Sequence, residues 1–146
     1  MNGSATVVRS GCMAKDADMI LSEFILLGIG GKELSEENAA QTAKALNIIQ
    51  PDFIRVHATG IKLESKLGEF VRDGSFTLQS EEEIVIEQKL FLQQLHEMDS
   101  YYVNEHIVNL LLEVRGNLRT EKQEMLSTID RFLTLPPDER LSLIHI

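Results

Sequence analysis

The chain has 146 residues, of which 43% are hydrophobic and 25% charged, with a formal net charge of -9, one cysteine and no tryptophan. This composition is typical of a globular protein and disfavours disordered and collagen-like classes. No apolar run is long enough for a membrane span and residues 1–13 lack the pattern of a signal peptide, which predicts a cytoplasmic location. The acidic charge disfavours nucleic acid and anionic membranes as partners, because binding either depends on clustered Lys and Arg.

The first half of the chain predicts a strand, a helix and a second strand. An unbroken apolar run at 23–28 predicts a strand buried on both faces. Ser35 is the predicted N-cap of a helix that ends near Ile49, before Pro51, and residues 52–58 predict the second strand. Because such a unit forms a right-handed crossover, we expect the two strands to be parallel.

The second half predicts helices only. Their start and stop signals are, in chain order, the Asp73-Gly74 turn, the Ser80/Glu83 capping box, Asn104 with Gly116, and Thr120/Gln123 with Pro136. Tyr101 and Tyr102 are predicted to pack between these helices.

Two parallel strands are too few for a complete sheet, since parallel sheets usually have at least four strands and helices on both faces. The missing strands would come from another chain or from a longer protein. The C-terminal hexapeptide LSLIHI, residues 141–146, also matches one reading frame of a common transposon-derived sequencing adapter. We therefore interpret 141–146 as a sequencing artefact, with a frayed apolar C-terminus as the alternative.

Four segments of the chain carry a family resemblance. They are SEFILLGIGGKELSEENAAQTAKALNIIQPDFIRVHA, SFTLQSEEEIVIEQKLFLQQL, YYVNEHIVNLLLEVRGNL and MLSTIDRFLTLPPDER. Together they resemble the C-terminal part of radical S-adenosylmethionine (SAM) proteins that have a coproporphyrinogen-oxidase-like or Elongator-like domain. The similarity runs from about Ala14 to Arg140, and IGGKELSEENA and NIIQPDFIRV are its most specific parts.

The resemblance implies an α/β fold that is a fragment of a partial (β/α) TIM-like barrel. Residues 1–76 would supply about two parallel strands of the barrel, its fifth and sixth, and residues 77–140 would supply an all-helical C-terminal extension. In this family a CxxxCxxC motif holds a 4Fe-4S cluster, which cleaves SAM reductively to a 5′-deoxyadenosyl radical. This chain has no such motif, and we interpret Cys12 as an ordinary cysteine.

From this we expect a fragment that lacks the N-terminal half of its barrel. The full-length parent would be an enzyme that binds SAM and the cluster, whereas this chain alone would bind neither and would be inactive. The fragment would supply one wall of the SAM pocket. The substrate of the parent stays open, because loops and extra domains set specificity in this superfamily.

Three glycines are candidate cofactor-binding residues. Gly28, Gly30 and Gly31 lie where the first strand ends and the helix begins, which is where ligands bind in parallel α/β folds. Their spacing is not GxGxxG, and Glu33 and the glutamates after it would repel a pyrophosphate. The resemblance implies that this strand end lines the methionine and adenosine part of SAM. The alternative is a tight turn that requires glycine.

Two polar residues of the second strand are the other candidates. Arg55 and His57 alternate with Ile54 and Val56, so they point into the barrel if the apolar residues face the helices. The resemblance implies that they contact the adenine side of SAM or the substrate. The alternative is that Arg55 belongs to a structural ion pair, for instance with Glu33.

Two further histidines are not expected to bind a metal. His96 and His106 lie ten residues apart, on what should be different helices, so the chain presents no HxxxH face. We expect surface or capping roles for both.

A competing hypothesis is that the chain is a small acidic interaction module. Such a module would pair its exposed strand edge with a partner or with a second copy. The upstream DNA distinguishes the two hypotheses: an in-frame CxxxCxxC within roughly 200 codons favours the fragment, and initiation signals directly before Met1 favour the module.

Overall fold

The computed structural model describes residues 3–106 and 108–144, and side chains only up to residue 140. Within this part the protein is an α/β protein with one four-stranded sheet. The elements are α1 (Gly3–Asp16), β1 (Ser22–Leu27), α2 (Ser35–Ile49), β2 (Phe53–Ala58), α3 (Lys66–Asp73), α4 (Glu81–Gln94), β3 (Tyr101–Val103), β4 (Gly116–Asn117), α5 (Leu118–Thr134) and α6 (Pro137–Ile144). None of these helices is both long and apolar enough to cross a membrane.

The strands follow the order β1-β2-β3-β4 in the sheet. Strands β1 and β2 are parallel over their whole length, from Ser22 opposite Phe53 to Leu27 opposite Ala58. The predicted parallel pair is therefore confirmed. Strand β3 extends it as a third parallel strand, and β4 pairs with β3 in the antiparallel direction.

The prediction of an all-helical tail after residue 76 is wrong, because β3 and β4 lie within it. Tyr101 and Tyr102 belong to β3 and do not pack between helices as predicted. Aromatic and β-branched residues suit a strand, but a run of three residues is too short to show a strand pattern. Its backbone hydrogen bonds are made with β2, which is distant along the chain. The Tyr102 side chain is fully buried, and its hydroxyl accepts a hydrogen bond from Gln88 Nε2 at 3.1 Å.

The helix predicted to begin at Asn104 is also absent from the described residues between β3 and β4, which form turns and bends. Asn104 Nδ2 donates hydrogen bonds to the carbonyl oxygens of Leu110 at 3.0 Å and Leu111 at 2.8 Å. A side-chain amide that binds nearby carbonyls stabilises a loop against a helix. Leu111 also adopts a left-handed conformation, with φ 52°, which interrupts a helix.

Local capping signals were more reliable for the other helices. The Ser80/Glu83 capping box is present at the start of α4, and α3 ends as predicted at Gly74, which has φ 83°. Helix α5 begins earlier than the predicted Thr120/Gln123 signal. Its N-cap is Asn117, whose side chain accepts a hydrogen bond from the backbone N–H of Arg119.

The prediction that Ser35 caps helix α2 is wrong. It is the first residue of the helix, and the N-cap position belongs to Leu34, which makes no side-chain cap. The Ser35 hydroxyl instead donates to Glu87 Oε2 at 3.0 Å, so a contact between two helices replaces the local cap.

The hydrophobic core lies on one face of the sheet, under helices α2, α4 and α5. It contains Ile25 and Leu27 of β1, Ile54 and Val56 of β2, and the apolar faces of these helices. The opposite face of the sheet is open in the described part of the protein. There Phe24 is 65% exposed and Leu26 is 47% exposed. The prediction that the first strand is buried on both faces is therefore wrong.

Helix α1 covers part of α2, in a region for which the sequence predicted no element. Gly11 of α1 is buried against Ile49 of α2. At the end of α1, Lys15 Nζ lies 2.8 Å from Asp52 Oδ2, which also accepts the backbone N–H of Leu21 at 2.8 Å. These two hydrogen bonds and the positive charge of Lys15 lower the pKa of Asp52.

The predicted artefact at 141–146 lies largely outside the described residues. Helix α6 includes residues 141–144, whose side chains are not described, and residues 145 and 146 are not described at all.

Candidate binding cleft on the open face of the sheet

A cleft of about 270 Å³ lies on the open face of the sheet, near the carboxyl ends of β2 and β3. Its lining includes Phe24, Arg55, His57, Val103, Glu105 and His106. Arg55 and His57 therefore lie on the face opposite to the buried Ile54 and Val56, as the predicted alternation requires.

His57 is in contact with two aromatic rings in this cleft. Its imidazole lies 4.3 Å from that of His106, with the two ring planes inclined by 33°. Phe24 of β1 meets His57 edge-on at 5.4 Å. His106 is thus a site residue that sequence reasoning missed. Because the segment after Asn104 was predicted as a helix, nothing local indicated that His106 would reach β2.

Asn109 explains how the loop after β3 brings His106 to this position. Its side-chain oxygen accepts the backbone N–H of Ala58 at 2.8 Å, and its Nδ2 donates to the carbonyl oxygen of Val56 at 2.6 Å. Asn109 therefore continues the hydrogen-bond ladder of β2 beyond the end of β3. The same Nδ2 also donates to Oδ1 of the buried Asn104 at 2.7 Å, which joins the start of the loop to its middle.

Arg55 makes no ion pair with any described residue, so the alternative pairing with Glu33 is not formed. Its guanidinium carbon lies 5.7 Å from the centre of the Phe53 ring, a cation–π distance. The acidic residue of the lining, Glu105, pairs with Arg115 at 3.1 Å. The charge that remains without a partner in the cleft is therefore positive.

The surroundings of His57 disfavour its protonation. Partial burial is the main cause that lowers the pKa of His57, and the positive charges of a protonated His106 and of Arg55 lower it further. The neutral imidazole of His57 can donate one hydrogen bond and accept another.

The three candidate glycines lie in the turn between β1 and α2, and none of them is a lining residue of the cleft. Gly28 has φ 83°, and Ile84 of α4 lies within contact distance of any side chain placed there. Gly31 has φ 62°, and a Cβ added to it would lie 2.7 Å from the carbonyl oxygen of Thr77. Both positions therefore favour glycine, because the backbone of this tight turn has positive φ and packs closely against the chain segment 76–79 and α4. At Gly30 an added Cβ would lie 3.0 Å from Leu34, its neighbour in the same turn.

The turn is held by a buried carboxylate that sequence reasoning also missed. Glu87 of α4 is fully buried and accepts hydrogen bonds from the Gly28 N–H, from the Ser35 hydroxyl and from Asn38 Nδ2. A signal was present in the sequence, since Glu87 lies between Ile84 and Phe91 at the spacing of an apolar helix stripe.

The described residues contain no group of three or more His, Cys, Asp or Glu side chains that could hold a metal ion. His96 is exposed next to Asn47 of α2, where its backbone N–H donates to the Asn47 side chain, and it is not a lining residue of the cleft. Cys12, the single cysteine of the chain, is partly buried in α1. A 4Fe-4S cluster held by three thiolates therefore does not fit the residues of this chain.

Fold and cleft together define an α/β protein whose mixed sheet is open on one face. No protein-family model matches the chain, and no curated protein or solved structure matches it significantly.

Proposed function

We propose that this chain is part of a radical SAM enzyme with a (β/α) barrel, in which it supplies one wall of the SAM pocket. The observation that carries the proposal is the cleft on the open face, where Arg55 and His57 lie near the carboxyl end of a parallel strand. Barrel enzymes hold their active sites at the carboxyl ends of their strands. The sequence resemblance to the C-terminal part of radical SAM proteins supports the same function.

The missing partner in this proposal is the N-terminal half of the barrel. Within the described residues no strand pairs with the outer edge of β1, and the apolar Phe24 and Leu26 next to that edge are exposed. An unpaired edge beside an apolar sheet face favours addition of further strands. Additional parallel strands would pair with β1 and enclose the open face, which would become the interior of the barrel.

The cofactors belong to the whole enzyme and not to this chain alone. The cluster, which supplies the electron for reductive cleavage of SAM, would be held by cysteines outside this chain, since Cys12 is its only cysteine. Arg55 and His57 would contact SAM or the substrate, and the turn at Gly28, Gly30 and Gly31 would border the SAM pocket. Such an enzyme would work in the reducing cytoplasm.

The upstream DNA gives the first test. We expect an in-frame CxxxCxxC within roughly 200 codons, the length scale of a barrel. The protein expressed from that longer frame, reconstituted anaerobically with iron, sulfide, SAM and a reductant, should form 5′-deoxyadenosine. Its matched control carries serine in place of the three motif cysteines and should form none. A stop codon directly upstream, or a stoichiometric cluster on the present chain alone, would contradict the proposal.

The open edge also supports a second candidate function, an interaction module that pairs through β1. The edge strand has six residues, from Ser22 to Leu27, and its exposed side carries Phe24 and Leu26. Light scattering after size-exclusion chromatography distinguishes the two functions. A stable dimer that Phe24→Lys dissociates would favour the module, whereas Lys at the exposed Val7 of α1 is the matched control.

A further inference from the structure

We propose that the cleft binds a small organic carboxylate, with Arg55 as its main partner and His57 and His106 as additional hydrogen-bond donors. The inference deepens the proposed function, on which its role as part of a substrate site rests, by naming the chemical class of the ligand. It depends on three observations: a guanidinium without an ion-pair partner among the described residues, two imidazole rings in close contact, and an apolar wall.

The positive charge of Arg55 in the cleft favours binding of an anion. Arg55 is half-buried and has no acidic partner among the described residues, while Glu105 of the same lining is already paired with Arg115. A guanidinium presents parallel N–H groups in a plane, which match the two oxygens of a carboxylate. A bound carboxylate would therefore give Arg55 the partner that the protein itself does not provide.

The two imidazoles add a second attraction. The rings of His57 and His106 lie 4.3 Å apart, and burial together with the positive charges of His106 and Arg55 lowers the pKa of His57. An anion beside these rings opposes the positive charges, so carboxylate binding favours proton uptake by His57. By linkage, the carboxylate binds more tightly as the pH falls from 8 towards 6.

The size and the wall of the cleft restrict the ligand further. A volume of about 270 Å³ lies just below the usual range for drug-sized ligands, so the cleft suits a small molecule. Phe24 and Val103 make part of the lining apolar. A small acid with an apolar body fits both features. Inorganic phosphate could pair with the positive charge of Arg55 but would make no apolar contact with the wall.

The test titrates the chain with benzoate, benzamide and inorganic phosphate at pH 6 and pH 8, followed by ¹H–¹⁵N NMR. Benzamide has nearly the shape of benzoate without its charge, and phosphate has charge without the ring. We expect benzoate to bind at pH 6 about tenfold more tightly than either control, as expected for a charge-assisted bidentate contact. Equal affinity for benzoate and benzamide, or tighter binding of phosphate, would overturn the inference.

Variants assign the binding to the named residues. Arg55→Gln should weaken benzoate binding about tenfold, and His106→Asn should reduce the gain in affinity between pH 8 and pH 6. Arg131→Gln is the matched control, because Arg131 is exposed on α5, which packs on the other face of the sheet. Circular dichroism checks folding, and His106→Asn, which changes an exposed loop residue, gives the decisive result if Arg55→Gln does not fold.

The two proposals fail in different ways. Unchanged benzoate binding in Arg55→Gln would overturn the carboxylate site without affecting the formation of 5′-deoxyadenosine by the longer protein. Absence of 5′-deoxyadenosine would overturn the radical SAM function and leave a carboxylate site on this chain in place.

Discussion

The carboxylate of Glu87 in α4 accepts the backbone N–H of Gly28, at the end of β1, at 3.2 Å. Two further donors, Ser35 Oγ at 3.0 Å and Asn38 Nδ2 at 2.6 Å, complete its hydrogen bonds, and Glu87 makes no ion pair with a described residue. Three hydrogen bonds thus compensate for burial of this carboxylate. The contact joins the glycine turn to α4 and gives that turn a structural role.

Replacement of Glu87 should therefore be strongly destabilising. Glu87→Leu leaves three donors without their acceptor, and we expect the free energy of unfolding to fall by about 3 kcal/mol or more. Glu87→Gln keeps the shape and one acceptor oxygen, so its loss should be about half as large. Urea denaturation followed by circular dichroism measures both. Glu81→Gln, at an exposed position of the same helix, should change stability by less than about 0.5 kcal/mol. A Glu87→Leu variant as stable as this control would contradict the prediction.

Because α1 and α2 are in close contact, we expect the effect of Gly11→Ala on stability to change sign when Ile49 is also replaced. A Cβ added at Gly11 would lie 2.7 Å from Ile49 Cγ2, so Gly11→Ala should destabilise the protein by about 1–3 kcal/mol, although alanine favours a helix. In the Ile49→Ala background the clash is gone, and the same change should stabilise by up to about 1 kcal/mol. Urea denaturation of the four proteins gives the coupling energy. If Gly11→Ala has the same effect on stability in both backgrounds, the predicted clash between a Cβ added at Gly11 and Ile49 would be contradicted.

His57 predicts a loss of stability at mildly acidic pH. Its pKa is lower in the folded protein than its ordinary value of 6.5, chiefly because of burial. The unfolded chain therefore binds more protons near this pH, so stability is fully present above about pH 6.5 and is lost as the pH falls towards the folded pKa. His57→Gln should flatten this part of the stability profile between pH 7 and pH 5. The matched His96→Gln variant should keep the full slope, and an identical slope in both variants would count against the prediction.

Local signals were enough to predict much of the first half of the fold. The apolar run of β1, the stop at Pro51 and the alternation in β2 each involve only neighbouring residues. They place the parallel pair correctly, and they put Arg55 and His57 on the face of β2 opposite to Ile54 and Val56. The capping box at Ser80 and the stop at Gly74 are equally local. Such signals survive folding because they depend on backbone conformation and hydrogen bonds within a few residues.

Tertiary structure decided the rest of the candidate site. The chain brings His106 to His57 only because β3 pairs with β2 and Asn109 continues that ladder, and these hydrogen bonds join residues about fifty positions apart. Glu87 likewise finds its three donors on β1 and α2. The sequence by itself thus determined which segments form elements and which side of β2 is polar. Only the tertiary structure decided which side chains meet, because hydrogen bonds and ring contacts between distant segments leave no periodic pattern along the chain.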